Sequence, residues 1–276
     1  MSTRPVPDPD QAPAAEAGPR DCSVSVRGTS HRTLSVAESV EWHLPEEEPT
    51  ALVYNRRSFA VMLTSPADLE DFGLGFSLSE RIITQESEMQ ELTVQRLEAG
   101  LSVQMTIPNG RAAQLLGRRR AIEGRSGCGI CGIESLEALR QPLAPVTAPE
   151  VAPAAIARAL GSLRDHQPMR ARNFSVHGAA WSDRNGTIVL SREDVGRHSA
   201  LDKLIGAMSR AGVDRTDGFV VLSSRCGFEL VQKAAAVGIG LLASVSAPTT
   251  MALSMARQAG MSLAVSAQGS AVVVLE

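Results

Sequence analysis

The chain has 276 residues, of which 43% are hydrophobic and 21% charged, with a formal net charge of −3. This composition is typical of a soluble globular protein that forms one large domain or two small ones. The balance of 27 basic and 30 acidic residues, with 3% aromatic residues, argues against a general nucleic-acid binder. Four cysteines, two of them in one CxxC, indicate reactive thiols or metal ligands rather than a disulfide framework. We therefore expect a cytoplasmic protein.

Composition also divides the chain into segments. The N-terminus is rich in Pro, Ala, Asp and Glu and lacks an apolar signal-peptide core, so we predict a disordered tail over residues 1–35. Glycines and a proline interrupt the longest uncharged run, residues 234–256, which favours a buried strand, turn and helix over a membrane span. A proline-rich linker then separates an N-terminal lobe, residues 36–141, from a C-terminal lobe, residues 142–276.

Hydrophobic periodicity predicts the order of the elements. The N-terminal lobe has, in order, strands within residues 51–64, a helix over 66–83, a hairpin over 92–107 and a basic helix over 111–120. The C-terminal lobe has a helix over 151–166, a hairpin over 174–190, a helix over 198–211, strands at 219–223 and 240–245, helices at 227–237 and 249–259, and closing strands at 263–265 and 271–275. Such alternation predicts an α/β layered sheet with a smaller N-terminal α+β lobe.

The pair Cys128 and Cys131 is the strongest chemical feature of the sequence. Four glycines among residues 123–132 predict a loop around it. A CxxC serves disulfide exchange, zinc binding or sulfur transfer, and its spacing alone leaves all three open. A zinc site needs two further ligands, and the other cysteines form no second close pair. In sulfur transfer, a thiolate near basic residues such as Arg125 would attack the terminal sulfur of a donor persulfide.

A densely charged segment, residues 191–198, leads directly into a predicted helix. Its two arginines, two acids and one histidine surround a single glycine. This combination can clamp a phosphate or read a purine edge, although a solvated turn has the same composition. His177 lies upstream in an apolar strand pattern, which is typical of a packed histidine.

Two strand-to-helix corners follow the charged segment. Residues 223–229 include Arg225, and residues 244–250 include Ser246 and Thr249. Both corners are rich in hydroxyl groups, and helix N-termini of this kind bind phosphate. In a parallel sheet the corners should share one edge, where such folds bind ligands. The GxxxxGK[ST] pattern of a P-loop is absent.

Together these segments resemble the FdhD family over nearly the whole chain after the tail. The motifs that carry the resemblance are Gly127-Cys128-Gly129-Ile130-Cys131-Gly132, Arg192-Glu193-Asp194-Val195-Gly196-Arg197-His198 with residues 200–203, Glu229-Leu230-Val231 with Lys233, and Ser244-Val245-Ser246-Ala247-Pro248-Thr249.

The resemblance implies a homodimer with a cytidine-deaminase-like fold. Such a protein would receive persulfide sulfur from a cysteine desulfurase and give it to the molybdenum bis(guanine dinucleotide) cofactor, before insertion into the formate dehydrogenase apoprotein. Cys128 and Cys131 would be the catalytic pair, with the first cysteine as the carrier. The residues predicted to contact the cofactor are His177, Arg192, Asp194, Arg197, His198, Arg225, Ser246, Thr249, Gln268 and Gly269.

The chain departs from the family pattern at residues 173–175, at Ser199 and at residues 265–268. Gln268 and Gly269 are therefore chosen by their place alone. We predict no metal site, no membrane partner and no nucleic-acid partner. Two alternatives stay open: a non-catalytic cofactor chaperone, and a zinc-binding protein of the deaminase fold. The H-x-E signature of zinc deaminases is not matched, because Gly178 and Ala179 follow His177.

Overall fold

In the computed structural model, residues 22–30, 38–119, 143–267 and 271–275 are described. They form a mixed α/β structure, which confirms the predicted α/β class, whereas the cytidine-deaminase-like layering stays a prediction. The strands are β1 Ser23–Ser30, β2 Glu38–Pro45, β3 Glu48–Tyr54, β4 Arg57–Thr64, β5 Glu91–Leu97, β6 Gly100–Thr106, β7 His177–Asp183, β8 Ile188–Asp194, β9 Gly218–Arg225, β10 Leu241–Ser246, β11 Ser262–Ser266 and β12 Val272–Leu275. The helices are α1 Leu69–Ser79, α2 Asn109–Arg119, α3 Pro153–Ser162, α4 Pro168–Asn173, α5 Arg197–Arg210, α6 Phe228–Ala236 and α7 Thr250–Ala259, with 3-10 helices at Glu86–Glu88 and Leu163–His166.

A six-stranded sheet forms the centre of the C-terminal half, with strand order β12-β11-β10-β9-β7-β8. Strands β9, β10 and β11 are parallel, whereas β7, β8 and β12 run antiparallel to their neighbours. In β9, Phe219 and Val221 pack with α3 on one face, and Val220 and Leu222 belong to the larger core on the other face. The sheet is therefore covered on both faces, as parallel strands require.

A four-stranded sheet, of order β4-β3-β6-β5, covers the outer side of α1. The inner side of α1 crosses α5 at close range. A Cβ atom on Gly75 would lie 1.7 Å from the carbonyl oxygen of Asp202, and one on Gly206 would lie 2.0 Å from that of Asp71. Only glycine fits at such a crossing. One apolar core therefore continues across the predicted boundary at residue 142, and the division into two lobes stays a prediction.

One part of the chain, near its N-terminus, differs from the sequence-based expectations. The predicted tail ran to residue 35, but residues 23–30 form β1, which pairs with β2 in an antiparallel hairpin. This hairpin packs against the short helix α4, where the rings of Trp42 and Phe174 lie 6.3 Å apart. Residues 1–21 and 31–35 of the predicted tail lie outside the described residues. Among the described residues, no helix has the length and apolar character needed to cross a bilayer.

Candidate functional site

One edge of the six-stranded sheet brings the predicted corners together. β9 ends at Arg225, which pairs with Ser246 at the end of β10. β8 ends at Asp194, which pairs with His177 at the start of β7. Helices α5, α6 and α7 all begin at this edge, so three helix N-termini present their first amide groups there. The prediction that the two hydroxyl-rich corners share an edge is therefore confirmed.

The two corners are also bonded to each other. The backbone N–H of Thr249 donates to the carbonyl oxygen of Cys226 at 3.1 Å. The Thr249 hydroxyl caps α7 by accepting a hydrogen bond from the Ala252 N–H at 3.2 Å. Arg225 and Ser246 are exposed beside this joint. Thr249 therefore shapes the edge, and the side chains of Arg225 and Ser246 face the solvent there.

Arg197 and His198 open α5 and leave polar atoms unsatisfied. The Nε atom of Arg197 and the Nε2 atom of His198 are buried, and neither has a hydrogen-bond partner in the part of the chain that the structure describes. An unpaired buried polar group costs about 1–3 kcal/mol. A ligand that supplied acceptors here would remove that cost. This pair of atoms is the strongest sign of a binding site on the edge.

Electrostatics keep both histidines of the edge neutral. Burial, followed by the charges of Arg197 and Lys233, lowers the pKa of His198 to about 3. Burial also lowers the pKa of His177, and the guanidinium groups of Arg197 and Arg170 lower it further. The site therefore combines neutral imidazoles, which can donate and accept, with permanently charged guanidinium groups.

Asp194 holds the turn that presents Arg197 and His198. Its Oδ2 atom lies 2.7 Å from Lys203 Nζ and accepts a hydrogen bond from the Ser65 N–H at 3.0 Å. Its Oδ1 atom accepts from the Gly196 N–H at 2.8 Å, and the Ser65 hydroxyl accepts from the Val195 N–H at 3.1 Å. Lys203 Nζ also donates to the Ser65 carbonyl at 3.0 Å. The Asp194 carboxylate thus fixes the backbone just before α5.

Arg192 is also paired within the chain. Its Nε and Nη2 atoms lie 2.8 and 2.7 Å from Asp71 Oδ2, and its Nη1 donates to the Ser191 carbonyl at 2.8 Å. Asp71 additionally accepts from Arg210 at 3.0 Å. The ligand contacts predicted for Arg192 and Asp194 stay predictions, and both side chains already have partners in α1, α5 or the adjoining backbone.

A second buried ion pair lies beneath His198, and the sequence pattern did not predict it. Lys233 Nζ contacts Asp202 Oδ2 and Glu80 Oε1, each at 2.9 Å, and Ser79 donates to Asp202 at 2.6 Å. Burial raises the pKa of Asp202 to about 6. Burial acts to lower the pKa of Lys233, but the two carboxylates raise it above its ordinary value. This cluster ties α1, α5 and α6 together under the site.

The predicted catalytic pair, Cys128 and Cys131, lies outside the described residues, as do Gln268 and Gly269. The described cysteines, Cys22 and Cys226, are both buried. Burial raises the pKa of the Cys226 thiol to about 12. Such a thiol stays protonated and is a poor nucleophile at neutral pH.

Comparison with known proteins shows the family of the chain. The sequence model of the FdhD/NarQ family matches residues 45–276. The chain belongs to the FdhD/NarQ family. Curated members named sulfur carrier protein FdhD are similar to it: the protein from Xanthomonas euvesicatoria is 50% identical over 79% of this chain and 78% of its own length. The protein from Bordetella petrii is 47% identical over 79% of each chain.

A solved structure has the same fold as this FdhD/NarQ family member. It is described as a formate dehydrogenase accessory protein from Desulfotalea psychrophila. The two structures superpose with a TM-score of 0.73 at 23% sequence identity, over 92% of this chain and 96% of the other. At this identity the likeness shows the fold alone.

Proposed function

We propose that this chain is a sulfurtransferase that carries sulfur as a cysteine persulfide. The sulfur comes from a cysteine desulfurase and goes to the molybdenum bis(guanine dinucleotide) cofactor, before that cofactor enters the formate dehydrogenase apoprotein. Membership of the FdhD/NarQ family, whose curated members are named sulfur carrier proteins, supports a sulfur carrier. The observation that supports the acceptor is the pair of unsatisfied atoms, Arg197 Nε and His198 Nε2, at an edge with three helix N-termini.

The edge fits the chemistry of this substrate. Guanine dinucleotides carry phosphates, which bind at helix N-termini and to guanidinium groups. Arg197 and the exposed Arg225 supply such groups, and the N-termini of α6 and α7 lie next to Arg225 and Ser246. The neutral imidazole of His198 offers a hydrogen bond to a base or ribose without adding charge. The substrate would then rest on residues that the fold already holds in place.

The loading step is an exchange between a thiolate and a persulfide, which follows the chemistry of thiol–disulfide exchange. The thiolate of Cys128 attacks the terminal sulfur of the desulfurase persulfide, and the desulfurase cysteine leaves as a thiolate. Cys128 then carries the sulfur as a persulfide. In the second transfer the Cys131 thiolate attacks the inner sulfur of that persulfide, so that a Cys128–Cys131 disulfide forms and the outer sulfur leaves as hydrosulfide for the acceptor. No external oxidant or reductant is needed to load the carrier, because sulfane sulfur moves at a constant oxidation level. Cys131 is the neighbouring thiol of the same pair.

Further parts of this proposal follow from the family resemblance. We infer a homodimer that works in the cytoplasm, with the layer order of a cytidine deaminase. In this account the desulfurase and the formate dehydrogenase apoprotein are its protein partners.

Titration with GDP, followed by calorimetry, tests the acceptor site. The variant Arg197→Met removes one guanidinium group from the edge, and Arg184→Met removes one from the opposite end of β7, where Arg184 pairs with exposed Asp217. We expect GDP binding to weaken about tenfold or more in Arg197→Met, as for a lost charge-assisted bond, and to persist in Arg184→Met. Equal GDP affinities in both variants would contradict the proposed site.

A further inference from the structure

A small cavity opens at the same edge as Arg197 and His198, but on the other face of the sheet. Its volume is about 130 Å³, and six of the residues that line it are Arg164, Gln167, Arg170, Ser223, Val245 and Ser266. Side chains alternate between the faces of a strand, so Ser223 shares the α3 face with Val221. The cavity is therefore separated by the sheet from Arg197 and His198. We propose that this cavity binds a tetrahedral oxyanion, either free phosphate or a phosphoryl group.

Gln167 provides the first argument. The residue is 2% exposed, and its Nε2 atom makes no hydrogen bond of good geometry among the described residues, although the Glu193 carboxylate lies near enough for the amide to lower its pKa. The amide lies against the sheet at Gly178, where a Cβ atom would come within 2.3 Å of Nε2. A buried donor without a partner is rare in proteins and points to a missing acceptor. The oxyanion supplies that acceptor.

The other polar groups around the cavity are donors. Arg170 is held in place because its Nη1 atom donates to the Val176 carbonyl at 3.1 Å. The other N–H groups of its guanidinium group remain as donors for a ligand. The Ser223 hydroxyl accepts from the Gly178 N–H at 2.8 Å, so its own hydrogen remains to be donated. Arg164 and Ser266 add a second guanidinium group and a second hydroxyl to the lining. Converging donors with two positive charges select an anion.

One acid, Glu193, lies near this cluster, and its charge is already compensated. Its two carboxylate oxygens accept hydrogen bonds from the N–H groups of Met169 and Arg170 at 2.8 and 2.9 Å. Burial raises the pKa of Glu193, while these two amides, the charge of Arg170 and the nearby Gln167 amide act to lower it. The guanidinium groups of Arg164 and Arg170 therefore leave a net positive charge at the cavity.

The size of the cavity limits the ligand. Ligand pockets for whole small molecules usually measure about 300–1,000 Å³, and one water molecule needs about 10–15 Å³ of such volume. At about 130 Å³ the cavity has room for one compact group but not for a whole nucleotide. A phosphoryl group or a phosphate ion fits this description. The site does not depend on the proposed sulfur transfer.

Phosphate titration followed by ³¹P NMR tests the oxyanion site. We expect saturable binding of inorganic phosphate to the full chain, weakened about tenfold in Arg164→Met and in Gln167→Met, because each variant removes a donor. Arg158→Met, which removes a guanidinium group of α3 bonded to the Asn185 carbonyl, serves as the matched control and should bind normally. Arg164 is exposed, so Arg164→Met tests the site even if Gln167→Met fails to fold.

Two further measurements distinguish binding at this cavity from binding at the edge around Arg197. Arg197→Met should keep the saturable phosphate site that Arg164→Met weakens, because Arg197 does not line the cavity, and loss of that site in Arg197→Met would overturn the cavity as the site. Absence of saturable binding, or unchanged binding in both Arg164→Met and Gln167→Met, would also overturn it. Adding GDP identifies the source of the oxyanion: competition with phosphate supports a phosphoryl group of the nucleotide, and independent binding supports free phosphate.

Discussion

Lys203 Nζ lies 2.7 Å from Asp194 Oδ2, and both side chains are fully buried. The lysine lies on α5 and reaches back to the end of β8, across the turn that carries Arg197 and His198. The same two groups bond to Ser65 from the N-terminal half of the chain. The pair therefore connects the core to the backbone of the proposed binding edge.

Breaking this pair should destabilise the protein strongly. Lys203→Met leaves the Asp194 carboxylate buried without its counter-charge, which typically costs about 3–5 kcal/mol of unfolding free energy. The double variant Lys203→Met with Asp194→Leu removes both charges and should recover much of that loss. Urea denaturation of the single variant, the double variant and the wild type measures these differences in unfolding free energy. A single variant as stable as the wild type would show that the pair contributes little.

His198 should remain neutral under mildly acidic conditions. Its pKa in the fold is about 3, whereas the pKa of a histidine in an unfolded chain is about 6.5. Between these values the unfolded chain binds the extra proton, so the free energy of unfolding falls as the pH is lowered, by up to about 1.4 kcal/mol per unit. Above pH ~6.5, His198 is neutral in both states and the free energy of unfolding no longer depends on its titration. Imidazole ¹⁵N shifts at pH 5, assigned with His198→Gln, check this, and a charged imidazole there would contradict it.

The α1–α5 crossing should not accept a methyl group. In Gly75→Ala the new Cβ would lie 1.7 Å from the Asp202 carbonyl oxygen, so the helices must separate, at a cost of about 1–3 kcal/mol or more. Gly110→Ala in α2 is the matched control, because nothing lies within 4 Å of its Cβ position, and it should be neutral or stabilising by at most about 1 kcal/mol. Thermal unfolding of both variants gives the comparison. Equal melting temperatures would contradict the close crossing.

Arg192 and Arg197 should behave differently despite their shared motif. Arg192→Met leaves the Asp71 carboxylate, 7% exposed, with the more exposed Arg210 as its remaining partner. We therefore expect Arg192→Met to lower the unfolding free energy while GDP affinity is kept. We expect Arg197→Met to weaken GDP binding while the unfolding free energy is kept. Urea denaturation and GDP calorimetry on both variants test this. Weaker GDP binding at unchanged stability in Arg192→Met would instead support a direct ligand contact.

Local pattern predicted the elements of the C-terminal half because its strands are continuous apolar runs. Residues 219–222 of β9 are buried on both faces, and α5 and α7 show helical periodicity. β8 was expected to end near residue 190, but it continues to Asp194. Charged residues there looked like a solvated turn, yet Arg192 and Asp194 are paired with Asp71 and Lys203. Only tertiary partners make such a strand stable, and a single sequence does not reveal them.

Two other elements depend on partners that their own sequence pattern does not indicate. Helix α4 has six residues, and its first amides are bonded to the Glu193 carboxylate. Strand β1 lies within a segment whose composition indicated a tail, and its partner β2 follows eight residues after β1 ends. At the site, the sequence indicated Arg197 and His198 by their charges. Their unsatisfied atoms and the Lys233–Asp202 pair beneath them required the fold.

Sulfur loading tests the central claim most directly. The intact mass of the full chain is measured after incubation with a cysteine desulfurase and cysteine. The account predicts a gain of one sulfur atom that reductant removes, that persists in Cys22→Ala and Cys226→Ala, and that is lost when Cys128→Ala and Cys131→Ala are combined. A gain retained by that double variant would contradict the persulfide carrier, and GDP binding without any gain in the wild type would favour a non-catalytic chaperone.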